Sequence, residues 1–333
     1  MRVMIMAAGL GTRLRPLTEH LPKPVAPVGN RPCVDYLLRR IADAGCTGAI
    51  MNLHYHPQTI IDTIGDGSEY GIPVEYSIEE ELLGTAGGTR KCQAFLTAED
   101  DVFLVTSGDG LHTIDLAALA AAHRASGALA TITVKRVEDI TGFGVVVTDD
   151  AGRVTSFQEK PAPEDALSDL VNVGVYCFSA AIFDEIPAEG QSDFGSEILP
   201  RLVAAGADVR AWVTDAFWSD IGSLDELLAT NLAIAMGAVD VEFDGDLIME
   251  SDCGLPNVSP DSVITGPVLL GEGAEVHSGA TIIGPAVIGQ RAVIEQGAVV
   301  EQALVLPEAE IHADSPSTGI LGDVENLDAV WQR

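Results

Sequence analysis

A chain of 333 residues, 47% of them apolar, has material for two domains or for one large domain with an appendage. Its 50 acidic side chains against 18 basic ones give a net charge of -32, which excludes the basic footprint that a nucleic-acid partner requires. No apolar run reaches about 18 residues, so no membrane span is expected, and five scattered cysteines without metal-ligand spacing fit a reduced, cytoplasmic protein.

Val3 to Met6 reads as a buried strand that breaks into a loop holding Gly9, Gly11, Thr12 and Arg13, with Arg15 and Lys23 close behind. The loop begins where a secretory leader would have to lie, so none is expected. Residues 1–34 carry five basic side chains (Arg2, Arg13, Arg15, Lys23, Arg31) and one acid, Glu19, a local charge of +4 in a strongly acidic chain. Positive charge held against that background points to an anionic ligand. Glycines let backbone N–H groups approach a phosphate, and arginine and lysine neutralise it. The chain has four lysines in all, so the placement of Lys23 and Lys160 carries weight.

A helix is expected near 34–44, closed by Gly45, then a strand at 47–53, a helix at 57–64 and a strand at 73–77. The run DVFLVT (101–106) reads as a short buried strand ending in Ser107, Gly108 and Asp109. A helix at 115–125 follows, then strands at 129–137, 143–148 and 171–178, a helix at 194–205 and a strand at 209–214. Ser223 and Glu226 have capping-box spacing and open a last helix to about Met236. This alternation predicts an α/β fold around a mainly parallel, mixed sheet. Ligands bind beyond the carboxyl ends of such strands, where the first loop and Asp109 would both lie.

Residues 1–236 would form this Rossmann-like domain, with 237–262 as an acidic linker. From Val263 to Glu310 the chain divides into eight hexads. Their second position is aliphatic throughout (Ile264, Leu270, Val276, Ile282, Ile288, Ile294, Val300, Leu306), and the sixth is alanine in five. A six-residue period with one large and one small inward residue predicts a short parallel β-helix over 263–312. Residues 313–333 read as a polar tail.

The first loop is neither a dinucleotide fingerprint nor a Walker loop. The whole string GLGTRLRPLT, then PKPVAPVGNRP, resembles the sugar-nucleotidyltransferase (NDP-sugar pyrophosphorylase) family. Those enzymes join a nucleoside triphosphate to a sugar 1-phosphate and release pyrophosphate. Further stretches match in order: EEELLGTAGGTR (79–90), SGDG (107–110), FQEKP (157–161), NVGVY (172–176) and FWSDIGS (217–223). The resemblance implies that Ala7, Ala8, Gly9, Gly11, Thr12, Arg13, Lys23, Leu83, Gly84, Thr85 and Gly108 bind the nucleotide. It implies that Gly144, Glu159, Lys160, Asn172 and Gly174 bind the sugar phosphate. Asp109 and Asp220 would hold Mg2+, and Arg13, Lys23, Asp109, Lys160 and Asp220 would carry catalysis. A left-handed hexapeptide β-helix behind the catalytic domain is common in the family and would make homo-oligomer contacts. Ala8 stands where the family often has a second glycine, and Ser107 where it often has Asn or Leu.

The substrate stretches 52–67 and 74–88 look most like mannose-1-phosphate guanylyltransferases, which favours GTP. A thymidylyl- or uridylyltransferase acting on glucose 1-phosphate is the alternative. Two readings from other classes stand beside these: a non-catalytic regulatory subunit that binds sugar nucleotides, and a hexapeptide acyltransferase using His277 or His312.

Overall fold

The protein is described by a computed structural model over residues 1–249 and 254–323. Its main sheet has nine strands. In chain order these are β1 (Arg2–Met6), β2 (Gly48–Leu53), β3 (Val74–Ile78), β4 (Val102–Ser107), β5 (Ala130–Arg136), β6 (Val145–Thr148), β7 (Val154–Gln158), β8 (Leu170–Ser179) and β9 (Val209–Val213). The order β3-β2-β1-β4-β8 forms the spine; β8 then pairs with β5 and, at Val171, with β6. The pairings make β7 and β8 antiparallel to the other seven, so the sheet is mixed and mainly parallel.

Successive residues of a strand point to opposite faces, and both faces here are covered. Val3, Ile5 and Leu104 enter one apolar core, while Met4, Phe103 and Val105 enter the other. This is why the central strands read as unbroken apolar runs. The main helices are α1 (Cys33–Asp43), α2 (Pro57–Ile64), α3 (Gly84–Lys91), α4 (Leu116–Ser126) and α5 (Leu224–Ala235). Gly45, at φ 72°, ends α1 as its position predicts. The Ser223 hydroxyl accepts the Glu226 N–H at 3.2 Å and caps α5. The stretch read as one helix at 194–205 is a π-helical turn, Phe194–Ile198, running into Leu199–Ala204.

Behind α5 the chain winds into three stacked parallel sheets, as the hexads predict. Val263–Thr265, Thr281–Ile283 and Val299–Glu301 form one. Glu275–Val276, Val293–Ile294 and Glu310–Ile311 form another. The third runs Val268–Leu270, Ala286–Ile288, Ala303–Val305, Gly319–Leu321. Partners sit 18 residues apart (Val263↔Thr281, Thr281↔Val299), then 17 apart at Ile288↔Val305 and Val293↔Glu310, and 16 apart at Ala303↔Gly319. One residue is lost after Glu301, beside Gln302 at φ 47°. Gly319–Leu321 and an antiparallel strand at Asp246–Ile248 extend the structure into stretches whose sequence carries no strand period. Ile264, Ile282, Ile288 and Ile294 are fully buried within the prism, and one apolar core continues from it into the α/β domain.

Candidate functional site

The site is built where β1 and β4 end together. Met6 pairs with Ser107, and the Gly108 N–H donates to the Met6 carbonyl at 2.9 Å, so the two loops leave the sheet side by side. A Cβ on Gly108 would lie 2.6 Å from Ile5 Cγ2, so that approach requires glycine. In the first loop Ala7 and Ala8 are buried, while Gly9 and Leu10 face solvent. Gly11 turns the chain at φ 61° into the short helix Thr12–Leu14, which presents Arg13.

Lys23 is the pivot. It is only 8% exposed, and its Nζ donates to Asp109 Oδ2 at 2.9 Å and to the Asp220 carbonyl at 2.6 Å. The other Asp109 oxygen accepts the Ser107 hydroxyl. Arg13 Nη2 stands 3.7 Å from Asp220 Oδ2, and a Cβ on Gly222 would lie 2.7 Å from Arg13 Nη1. Ile221, next to Asp220, is fully buried at φ 45°, a strained conformation for a β-branched residue. Four residues from distant segments, Arg13, Lys23, Asp109 and Asp220, therefore meet. His112 lines the same cleft, but burial pushes its pKa down to about 4, so it adds no cation at neutral pH.

Asp109 and Asp220 line the same cleft and supply it with hard oxygen donors. Among the described residues no three His, Cys, Asp or Glu side chains cluster as a closed metal cage. One or two carboxylates, with remaining positions left to substrate phosphates and water, is the donor set that suits a small divalent cation.

Toward α3, Glu79 is 2% exposed. Its Oε1 accepts Asn52 Nδ2 at 2.8 Å, its Oε2 accepts the Leu83 N–H at 3.0 Å, and Asn52 Oδ1 accepts the Ala7 N–H at 2.9 Å. This buried relay ties the loop after β1 to Leu83 and Gly84 at the start of α3. Sequence reasoning missed it; an Asn inside the apolar strand GAIMNL was the available signal. Gly84, at φ 73°, has no room for a Cβ, which would sit 2.4 Å from the Ser192 carbonyl. The Thr85 hydroxyl donates to Asp193 Oδ2 at 2.8 Å and accepts the Phe194 N–H at 2.9 Å. A Cβ on Gly88 would come within 2.7 Å of both Asn52 Nδ2 and Glu79 Oε1. Gly88→Ala is therefore expected to break the relay and cost about 2 kcal/mol, read as a lower thermal midpoint. An unchanged midpoint would refute that account.

On the far wall, Glu159 Oε2 occupies a gap between Gly144 and Gly195, where added Cβ atoms would lie 3.3 and 2.8 Å away. Lys160 sits at φ 46°, with its exposed Nζ 3.5 Å from Glu159 Oε1. The Asn172 side chain is committed to its own strand: Nδ2 donates to the Tyr176 hydroxyl at 2.7 Å, and Oδ1 accepts the Gly174 N–H at 3.1 Å. Gly174, at φ 75°, lies in the bulge where β8 shifts register against β5. Trp218 and Phe143, their rings 5.0 Å apart, complete this wall.

A mainly parallel sheet whose first loop brings cations onto two carboxylates, with a lysine-bearing wall opposite, offers positive charge on both sides of one cleft. The chain belongs to the nucleotidyl transferase family, whose model matches residues 2–237. It is 37% identical over 300 residues to a UTP–glucose-1-phosphate uridylyltransferase of Synechocystis sp., covering 86% of this chain and 77% of that one. It is 34% identical over 286 residues to a mannose-1-phosphate guanylyltransferase of Mycobacterium tuberculosis, covering 84% and 78%. The crystal structure of HddC from Yersinia pseudotuberculosis complexed with GMP-PN superposes with a TM-score of 0.59 at 26% identity, covering 69% of this chain and 97% of that one. The protein is thus a sugar-1-phosphate nucleotidyltransferase, an enzyme class whose members take a nucleoside triphosphate and a sugar 1-phosphate and generally use a divalent metal.

Proposed function

We propose that the protein condenses GTP with mannose 1-phosphate, or a related sugar phosphate, to give a GDP-sugar and pyrophosphate. The observation that carries the reaction type is the convergence of Arg13, Lys23, Asp109 and Asp220 at one end of the cleft, with Glu159 and Lys160 at the other. The guanylyl choice is supported by the Mycobacterium tuberculosis relative and the GMP-PN complex of HddC. UTP with glucose 1-phosphate is the second reading, favoured by the 37% identical Synechocystis enzyme.

In the reaction a phosphate oxygen of the sugar 1-phosphate attacks the α-phosphorus in line. The bond to the bridging oxygen of the β-phosphate breaks, and pyrophosphate carries the electron pair away. The protein forms no covalent bond; it positions two anions and neutralises charge as it develops. Arg13 and Lys23 hold the triphosphate beside the exposed Gly9–Leu10 turn of the first loop. Lys160 neutralises the sugar phosphate while Glu159 accepts hydrogen bonds from sugar hydroxyls. Asp109 and Asp220 would hold Mg2+, which supplies charge neutralisation at the phosphates when bound.

A pyrophosphate-release assay crossing five nucleoside triphosphates with mannose, glucose and heptose 1-phosphates tests this. Turnover confined to UTP or dTTP overturns the guanylyl choice, and no turnover with any pair overturns the reaction. Lys160→Ala is expected to raise the KM for sugar phosphate by ~10- to 100-fold, the value of a charge-assisted hydrogen bond, with the nucleotide KM little changed. An effect confined to the nucleotide would contradict its role.

Two broader features belong to the same reading. A homo-oligomer through the β-helix is supported by exposed Val263 and Val299 on one of its sheets, and a monomer mass in light scattering would remove it. A cytoplasmic location is supported by four free, buried cysteines, Cys33, Cys46, Cys92 and Cys177. Among the described residues no helix is long and apolar enough to cross a membrane.

A further inference from the structure

The hairpin formed by Pro27–Val28 and Arg31–Pro32 takes no part in the chemistry above, yet it starts four residues beyond Lys23. Its tip, Asn30, is 1% exposed and left-handed at φ 62°. Hairpin tips ordinarily face water and use glycine or a solvated Asn for that conformation. Here the tip is docked against the β-helix. Asn30 Nδ2 donates to the Ile288 carbonyl at 3.1 Å, and the Asn30 carbonyl accepts Gln290 Nε2 at 3.1 Å.

The path from that contact to the site has little slack. The Gly29 N–H donates to Asn231 Oδ1 at 2.9 Å, and Asn231 Nδ2 donates to the Pro27 carbonyl at 3.1 Å. The Tyr36 hydroxyl donates to the Val28 carbonyl at 2.9 Å. The Ala26 N–H bonds the Lys23 carbonyl, and the Cys33 N–H bonds the Ala26 carbonyl, both at 3.0 Å. Helices α1 and α5 thus grip the flanks of the segment while the β-helix grips its tip. At its other end Lys23 Nζ reaches Asp109 and the Asp220 carbonyl.

We propose that Asn30 is a positioning residue through which the β-helix, at Ile288 and Gln290, sets the Lys23 ammonium in the catalytic centre. This rests on the role given to Lys23 under the proposed function. The β-helix is then part of the catalytic apparatus as well as a candidate subunit contact. The strained, buried tip is explained by the position it fixes.

The test compares Asn30→Gly, Asn30→Asp and Gln290→Ala in the full chain. Glycine keeps the left-handed backbone and removes the amide. Aspartate keeps the shape and sets a carboxylate against the Ile288 carbonyl. Each is assayed in both directions with the best substrate pair of the wild type, beside circular dichroism and thermal unfolding. Because a small displacement of a catalytic group is costly, kcat is expected to fall ~10-fold in Asn30→Gly, and further in Asn30→Asp. The KM for pyrophosphate should rise several-fold while the KM for sugar phosphate stays within about twofold of wild type. Wild-type kcat and pyrophosphate KM in all three variants overturn the proposal. So does a uniform loss that tracks the folded fraction, an equal rise in both KM values, or Asn30→Asp performing as well as Asn30→Gly. A wild type silent with every pair overturns the underlying reaction instead, and is recognised before any variant is made.

Discussion

Exchanging Asp109 or Asp220 for asparagine is expected to lower turnover on the order of a thousandfold while leaving the fold in place. The two positions do different work. Asp109 holds Lys23 through one oxygen and Ser107 through the other. Its amide analogue loses a formal charge beside the buried Lys23 ammonium. Asp220 offers its backbone carbonyl to Lys23 and directs its carboxylate toward Arg13. Asparagine there keeps the backbone contact and removes only the carboxylate. Both variants should need a higher magnesium concentration for half-maximal rate, and chelation should silence the wild type. The Arg13–Asp220 pair is exposed, so its loss should cost at most about 1 kcal/mol of stability, whereas Asp109→Asn takes the counter-charge from the buried Lys23 ammonium and should cost about 2 to 3 kcal/mol. Pyrophosphate release across a magnesium titration, with thermal unfolding alongside, separates these effects. Near-normal rates in both variants would mean that the metal site lies elsewhere.

The legible parts of the fold were those in which local pattern and tertiary environment agree. The strands at 48–53 and 102–107 are buried on both faces, so their apolar runs show them directly. The hexads show the β-helix because each inward position repeats at the period of its coil. The helix Gly84–Lys91 was not legible: Gly84, Gly87 and Gly88 read as a loop. It is held instead by a remote segment, since the Ser192 carbonyl accepts the N–H groups of both Ala86 and Gly87. The strands at 246–248 and 319–321 likewise exist only through pairing with distant coils. In the site, the cations of the first loop stood out as local positive charge in an acidic chain, while Asp109, Glu159, Lys160 and Asp220 were assigned roles only through the motifs that resemble the family. Asn52, Glu79 and Asp193 were not, because their meaning lies in whom they meet across the fold. Thr85 shows the difference: the motif names the residue, and only the structure shows its hydroxyl taken by Asp193 and Phe194.

Removing the charge of Lys23 is expected to be as damaging as removing either aspartate, and for a reason the exposed lysine of the opposite wall does not share. Lys160 is largely solvated, so water compensates part of its loss. Lys23 is almost wholly buried between Asp109 and the Asp220 backbone, where no water replaces an absent ammonium. Lys23→Met keeps most of the bulk and discards the charge. It leaves the Asp109 carboxylate without its cation and, on the proposed reading, the departing pyrophosphate without a neutralising ammonium, so kcat/KM should drop on the order of a thousandfold. Lys23→Arg should recover little of this. The ammonium is a compact point charge that donates at 2.9 and 2.6 Å to two oxygens from different segments, whereas the guanidinium is a wide planar fork. Rates for both variants within about tenfold of wild type would show that the buried ammonium is structural, and the triphosphate would then have to be held by Arg13 alone.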